Sequence, residues 1–162
     1  MIGLCDKLES AMVVVLQPAI GVGVTVATGK TNETKTAQMV KCYAETTEEE
    51  DPPYSGNYHS DCAVDVSYPS GTGLADDGGP NSPTHDELSA SLKTEDINLL
   101  ELVQSTLLAS DLAGLLSAAV PDLTVFPGSI VFGRQDRGRD AIGRWGDTMH
   151  FTCYACGATL TP

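Results

Sequence analysis

The apolar residues of this chain change period along its length, and that change limits the folds open to it. Leu4, Leu8, Ala11, Met12, Val15 and Leu16 recur at three- and four-residue steps, the spacing of one helix face. Asp6, Lys7, Glu9 and Ser10 fall off that stripe. Pro18 is expected to end the helix at Gln17, because it donates no hydrogen bond and disfavours helical geometry before it. The period then becomes two. Val22, Val24 and Val26 alternate with small or polar residues, which predicts a first strand. Residues 28–36 are polar and read as a turn. A second strand is expected over 37–45, with Met39, Lys41 and Tyr43 on one face and Val40, Cys42 and Ala44 on the other. Glu48 to Pro53 interrupts it, since four like charges repel and two prolines cannot join a ladder. A third strand is expected from Asn57 to Tyr68, with Cys62, Val64 and Val66 buried and Asp61, Ala63, Asp65 and Ser67 wet.

Residues 69–83 are rich in glycine and proline and form a long loop, after which the helical period returns. Thr84-His85-Asp86-Glu87 has the pattern of a capping box. Leu88, Leu92, Leu99, Leu100, Val103 and Leu107 continue as a helical stripe with a break near Thr94. Ser110 or Asp111 is placed to cap a short helix through Ala119, and Pro121 stops it. Leu123, Val125, Phe126, Ile130 and Phe132 predict a fourth strand with an irregularity at Pro127-Gly128. A fifth strand is expected from Trp145 to Ala158. Helices grouped between runs of strands define an α+β fold. The expectation is a single domain over residues 1–162, with a mostly antiparallel sheet of about five strands and the helices packed on one face.

The charges are segregated. Every arginine lies between Arg134 and Arg144, at Arg134, Arg137, Arg139 and Arg144. Residues 1–133 hold five lysines against nineteen acidic residues, a net of −14; residues 134–162 hold four arginines against three aspartates, a net of +1. Such segregation orients one copy of a chain against the next, fixing register more than it adds affinity. The acidic run Glu48, Glu49, Glu50 and Asp51 is the first candidate for the complementary surface. Arginine suits the contact because it binds carboxylates in bidentate fashion. A head-to-tail oligomer presents two different surfaces to each neighbour, which this pair of patches fits.

Other classes are disfavoured. A net charge of −13 opposes general nucleic-acid binding, which needs many cations against phosphate. The longest apolar stretch, Ala11 to Ile20, is broken by Gln17 and Pro18 and falls short of a membrane span; no signal peptide and no membrane partner are expected. Cys5, Cys42, Cys62, Cys153 and Cys156 read as reduced thiols, mostly buried, in a reducing cytoplasm.

Four constellations were weighed for chemistry. Cys153-Tyr-Ala-Cys156 resembles half of a zinc knuckle, and His59-Ser-Asp-Cys62 would supply the other half. Both lie in expected strands, where residues three apart face opposite sides, so no metal and no cofactor are expected. Thr28-Gly29-Lys30-Thr31 is similar to the end of a phosphate-binding loop, but position 24 is Val24 where that loop needs glycine. His59, His85 and His150 each fit a plain structural position. Asp61 and Asp65 share a strand face, and a solvated acidic face explains them best. No serine sits in a nucleophile elbow, and no enzymatic reaction is expected.

The element order resembles that of the tail-terminator and neck proteins of long-tailed bacteriophages. Four segments carry the likeness: the helix of Leu4 to Leu16, the strand pair 38–45 and 56–66 around the acidic loop, the helix after His85-Asp-Glu-Leu88, and the closing pair from Leu123-Thr-Val-Phe126 to Thr148-Met-His-Phe-Thr-Cys153. Cys153 with Cys156, and the glycine-rich loop, are not features of that family. The resemblance implies a virion protein assembled in the host cytoplasm: a ring of identical subunits, six in number, at the head-proximal end of the tail tube. Such a ring stops tube growth and meets the tail tube protein on one side and a neck or connector protein on the other, with DNA passing its lumen. A head-completion or connector ring is the alternative implied. A monomeric zinc-binding or enzymatic domain built on Cys153, Cys156, His59 and Cys62 is the second.

Overall fold

A computed structural model describes residues 3–21, 24–29, 39–49, 57–68, 99–108, 111–139 and 145–157. The first helix, α1, spans Leu4–Ile20. It runs three residues past the expected end. Pro18 lies inside it and cannot donate to the Val14 carbonyl, yet the helix continues to Ile20. The terminator is Gly21: its φ of 86° lies in the left-handed region, and its N–H closes on the Gln17 carbonyl. The Gln17 side chain then ties the helix end to the next element, donating to the Gly21 carbonyl at 2.6 Å and accepting from the Val26 N–H at 3.4 Å.

Strand β1 is short, Thr25–Thr28, and pairs in parallel with β2, Met39–Glu49. This parallel pair sits in a sheet whose other described pairs are antiparallel, in keeping with the mostly antiparallel expectation. β2 also runs further than its sequence suggests. Glu48 and Glu49 are strand residues, paired with His59 and Tyr58 of β3 after a register shift between Thr46 and Glu48. The bulge lets the strand continue through a charged segment, because one residue is left out of the ladder there. β3 occupies Asn57–Tyr68, the range expected, with Cys62, Val64 and Val66 buried and Asp61 exposed.

Helix α2 is described over Leu99–Leu107, and α3 covers Leu112–Ala119. Asp111 is the N-cap of α3; its Oδ1 accepts from the Gly114 N–H at 3.1 Å. Three strands complete the sheet: β4 (Leu123–Val125), β5 (Val131–Arg139) and β6 (Trp145–Gly157). β4 and β5 lie end to end along the same edge of β6, so the expected fourth strand exists with its irregularity between the two pieces. Across the gap the Ser129 side chain replaces a ladder bond. Its Oγ accepts from the Tyr154 N–H at 3.1 Å and donates to the Phe126 carbonyl at 2.6 Å.

The sheet order is β1-β2-β3-β6, with β4 and β5 beyond β6, mixed but mostly antiparallel. Val40, Cys42 and Ala44, then Cys62, Val64 and Val66, then Met149, Phe151, Cys153 and Ala155 alternate along their strands and so share one face. The three helices cover that face with Leu8, Met12 and Leu16, Leu99, Val103 and Leu107, and Leu112 and Leu116. This is the α+β arrangement expected. The capping box at 84–87, Leu88, Leu92 and the loop at 69–83 lie outside the described residues.

Among the described residues Lys7, Glu9, Lys41 and Asp147 are buried charges, and the two on α1 depart from the helical pattern. Lys7 and Glu9 are only 6% and 8% exposed, although they lie off the apolar stripe. Lys7 Nζ donates to the Asp122 carbonyl at 3.4 Å, where Asp122 adopts a left-handed turn (φ 60°). Glu9 Oε1 accepts the Ala44 N–H at 3.2 Å. That N–H faces the outer edge of β2, as the neighbouring Cys42 carbonyl does, which accepts from Gly29 at 2.8 Å. β1 has ended by Ala44, so the helix carboxylate takes the place of a ladder partner.

Candidate assembly surface

Arg134, Arg137 and Arg139 belong to β5, which pairs antiparallel with β6. The ladder between β5 and β6 extends to Arg139 opposite Trp145. Arg144 lies outside the described residues. β5 is the outermost strand on its side, and no described strand pairs with its outer edge. Its residues from Val131 to Asp136 are all exposed, Val131 by 61%.

The exposed half of this strand carries a small charged cluster. Arg134 Nε and His150 Nε2 both lie 3.0 Å from Asp136 Oδ2, and the Arg134 side chain is 77% exposed. A pair this open contributes little to stability, so Arg134 remains available to a second partner. On the helix face, Gln135 accepts from Gln104 of α2 at 3.1 Å and donates to Asp147 at 3.4 Å. Asp147 is 1% exposed and stands directly opposite Arg137 in register. That register depends on the shift between Phe132 and Gln135, which local sequence does not announce.

The acidic residues lie across the sheet. Glu48 and Glu49 are in β2, while Glu50 and Asp51 lie outside the described residues. Exposed Glu45 stands directly opposite exposed Asp61, a like-charge cross-strand pair. Neither has a cation partner among the described residues. Beyond Cys42, no described strand covers the outer edge of β2. β2 and β5 are three strand spacings apart, about 14 Å at ~4.8 Å each. β5 and the acidic segment of β2 are thus not brought together within one copy. The two patches occupy opposite edges.

The cysteine and histidine residues divide between faces. Cys62 and Cys153 lie on the helix face and are buried; His59 and Cys156 lie on the other face, His59 packed 5.1 Å from the Tyr154 ring. The four do not converge, for the reason of strand alternation given above. Among the described residues no group of three or more His, Cys, Asp or Glu side chains is placed to hold a metal. A hydrogen bond to Cys153, together with burial, pushes the Cys62 thiol up. Burial, and then the Glu9 charge, push Cys42 up to about 12. These thiols stay protonated and unreactive at neutral pH. The Gly29 N–H is consumed by the Cys42 carbonyl, and a Cβ on Gly29 would fall on the Tyr43 ring. Gly29 is therefore a close-packed turn. Lys30, Thr31, His85, Asp76 and Asp77 lie outside the described residues. No single helix among the described residues is long and apolar enough to cross a membrane.

No protein-family model matches the chain, and no curated protein matches it either. The described residues form an α+β domain in which the acidic segment of β2 and the arginines of β5 lie toward opposite edges of one sheet.

Proposed function

We propose that this chain is a structural subunit of a phage virion, assembling head to tail with copies of itself into a closed ring at the head-proximal end of the tail tube. There the ring ends tube growth and joins the tail to the neck. Its role is mechanical and not catalytic. Its partners are further copies of itself, six to a ring, the tail tube protein and a neck or connector protein. It is assembled in the host cytoplasm and resides in the virion.

One observation carries this reading: the basic strand β5 and the acidic segment of β2 sit on opposite edges of one sheet, too far apart to pair within a copy. Heterologous assembly requires two different complementary surfaces on each subunit, and closes into a ring when the rotation between subunits allows. The order of elements, similar to that of tail-terminator and neck proteins, supports the place in the virion. Native mass spectrometry of the purified full chain, alone and with a tail tube protein, tests the reading. The expected result is a closed oligomer with a single dominant stoichiometry. A chain that stays monomeric at high concentration under both conditions refutes it. Binding to DNA by a monomer, lost on Arg134→Ala, would instead assign the arginines to phosphate contacts.

A further inference from the structure

We infer that copies of this chain join by strand addition: the outer edge of β5 in one copy pairs, antiparallel, with the outer edge of β2 over 45–49 in the next. The inference rests on the ring reading above and names its interface. It extends a charge contact into a main-chain one.

Three features lead to it. The first is that both edges are open among the described residues. β5 pairs only with β6, and β1 covers β2 only as far as Cys42. Open edges present rows of unpaired N–H and C=O groups, and proteins ordinarily blunt or cover them. This chain does cover one position, since Glu9 takes the Ala44 N–H. Protection stops there, and the edge from Glu45 onward has no described cover.

Direction is the second. β2 and β6 run one way, β3 and β5 the other. If the next copy keeps its helices on the same side, its β2 arrives antiparallel to β5. The resulting ladder is the better-bonded type, and the sheet continues from copy to copy.

Charge is the third, and it selects the occupant. Two β5 strands facing each other would set arginines against arginines, and like charges directly opposite are destabilising. Two β2 edges would set Glu45, Glu48 and Glu49 against themselves. Only β5 against β2 is complementary. It would also bring cations to Glu45 and Asp61, whose cross-strand repulsion nothing else among the described residues relieves.

Hydrogen exchange on the full chain tests the main-chain contact without any mutation. Amides of 45–49 and of the roughly five residues within 131–139 set against them should exchange at least about tenfold more slowly in the assembled species than in the dilute chain, in an alternating pattern. A charge test follows. Arg134→Glu/Arg139→Glu and Glu45→Lys/Glu48→Lys variants should each fail to assemble alone and should assemble when mixed, since each then meets a complementary edge on both sides. A ring whose β5 and β2 amides gain no protection overturns strand addition while leaving the ring standing. Protection of β5 alone, or variants that assemble unmixed, also overturns it. A chain that never assembles overturns both readings together.

Discussion

Glu9 offers the sharpest test of how the sheet is closed. Its carboxylate, 8% exposed, accepts the Ala44 N–H at 3.2 Å where β1 has run out. Glu9→Ala removes the acceptor and leaves a buried N–H unsatisfied, at a cost of about 1–3 kcal/mol. It also removes one buried methylene, at about 0.8 kcal/mol. The expected loss is therefore about 2–4 kcal/mol. For a chain of 162 residues that lowers Tm by roughly 4–16 °C. Glu9→Gln keeps a neutral oxygen acceptor and loses only the charge-assisted part, about 1 kcal/mol. Glu9→Leu keeps apolar volume without an acceptor, and should fall between the two. Urea denaturation of the three variants at neutral pH gives the order, and hydrogen exchange at Ala44 gives the cause: protection should fall in Ala and Leu and persist in Gln. If Glu9→Leu is more stable than the parent chain, the cost of burying the carboxylate exceeds what it contributes, and the reasoning fails.

Three further outcomes are expected. Cys42 is held up to about 12 in the folded chain, against an ordinary 9.0. Between those values the folded state holds a proton that the unfolded state has released, so its stabilising contribution is complete below pH 9 and is lost as pH rises, by about 1.4 kcal/mol per unit. Cys42→Val should make the stability–pH curve above pH 9 shallower by one proton; an unchanged slope refutes the assignment. Gly29→Ala should cost about 1–3 kcal/mol by forcing a methyl onto the Tyr43 ring. The same change made in a Tyr43→Ala chain should cost much less, and a double-mutant cycle with no coupling counts against the contact. Ser60 is fully buried, and its hydroxyl has no hydrogen-bond partner among the described residues. Ser60→Ala should then be neutral or stabilising by up to about 1 kcal/mol, whereas a clear loss in thermal denaturation would point to a hydrogen bond there.

Much of the architecture follows from period alone. β3 has the limits its alternation suggests, Asp111 caps α3, and the break at Pro127-Gly128 divides β4 from β5. These features depend on neighbours in the chain: side-chain alternation, a capping carboxylate three residues before its N–H, a proline that cannot donate. α1 ends at Gly21 and not before Pro18, because the left-handed backbone of Gly21 turns the chain out of the helix while Pro18 removes only one hydrogen bond. Glu48 and Glu49 lie in a strand although repelling charges and prolines from Glu48 to Pro53 predict an interruption, and Arg134 to Arg139 lie in a strand as well. A bulge in each strand absorbs the residues that break alternation, and local sequence does not announce a bulge.

The sequence by itself determined the element types, the α+β class and the separation of arginines from acids. These are properties of short windows and of composition. Only the tertiary structure decided that β1 joins β2 in parallel, that Glu9 of α1 closes the edge beyond it, that Asp147 stands against Arg137, and that the two charged runs lie at opposite edges of one sheet. Each of those facts is a pairing between residues distant along the chain. It is set by which strands find each other over a common core, and strand order leaves no periodic trace in the sequence.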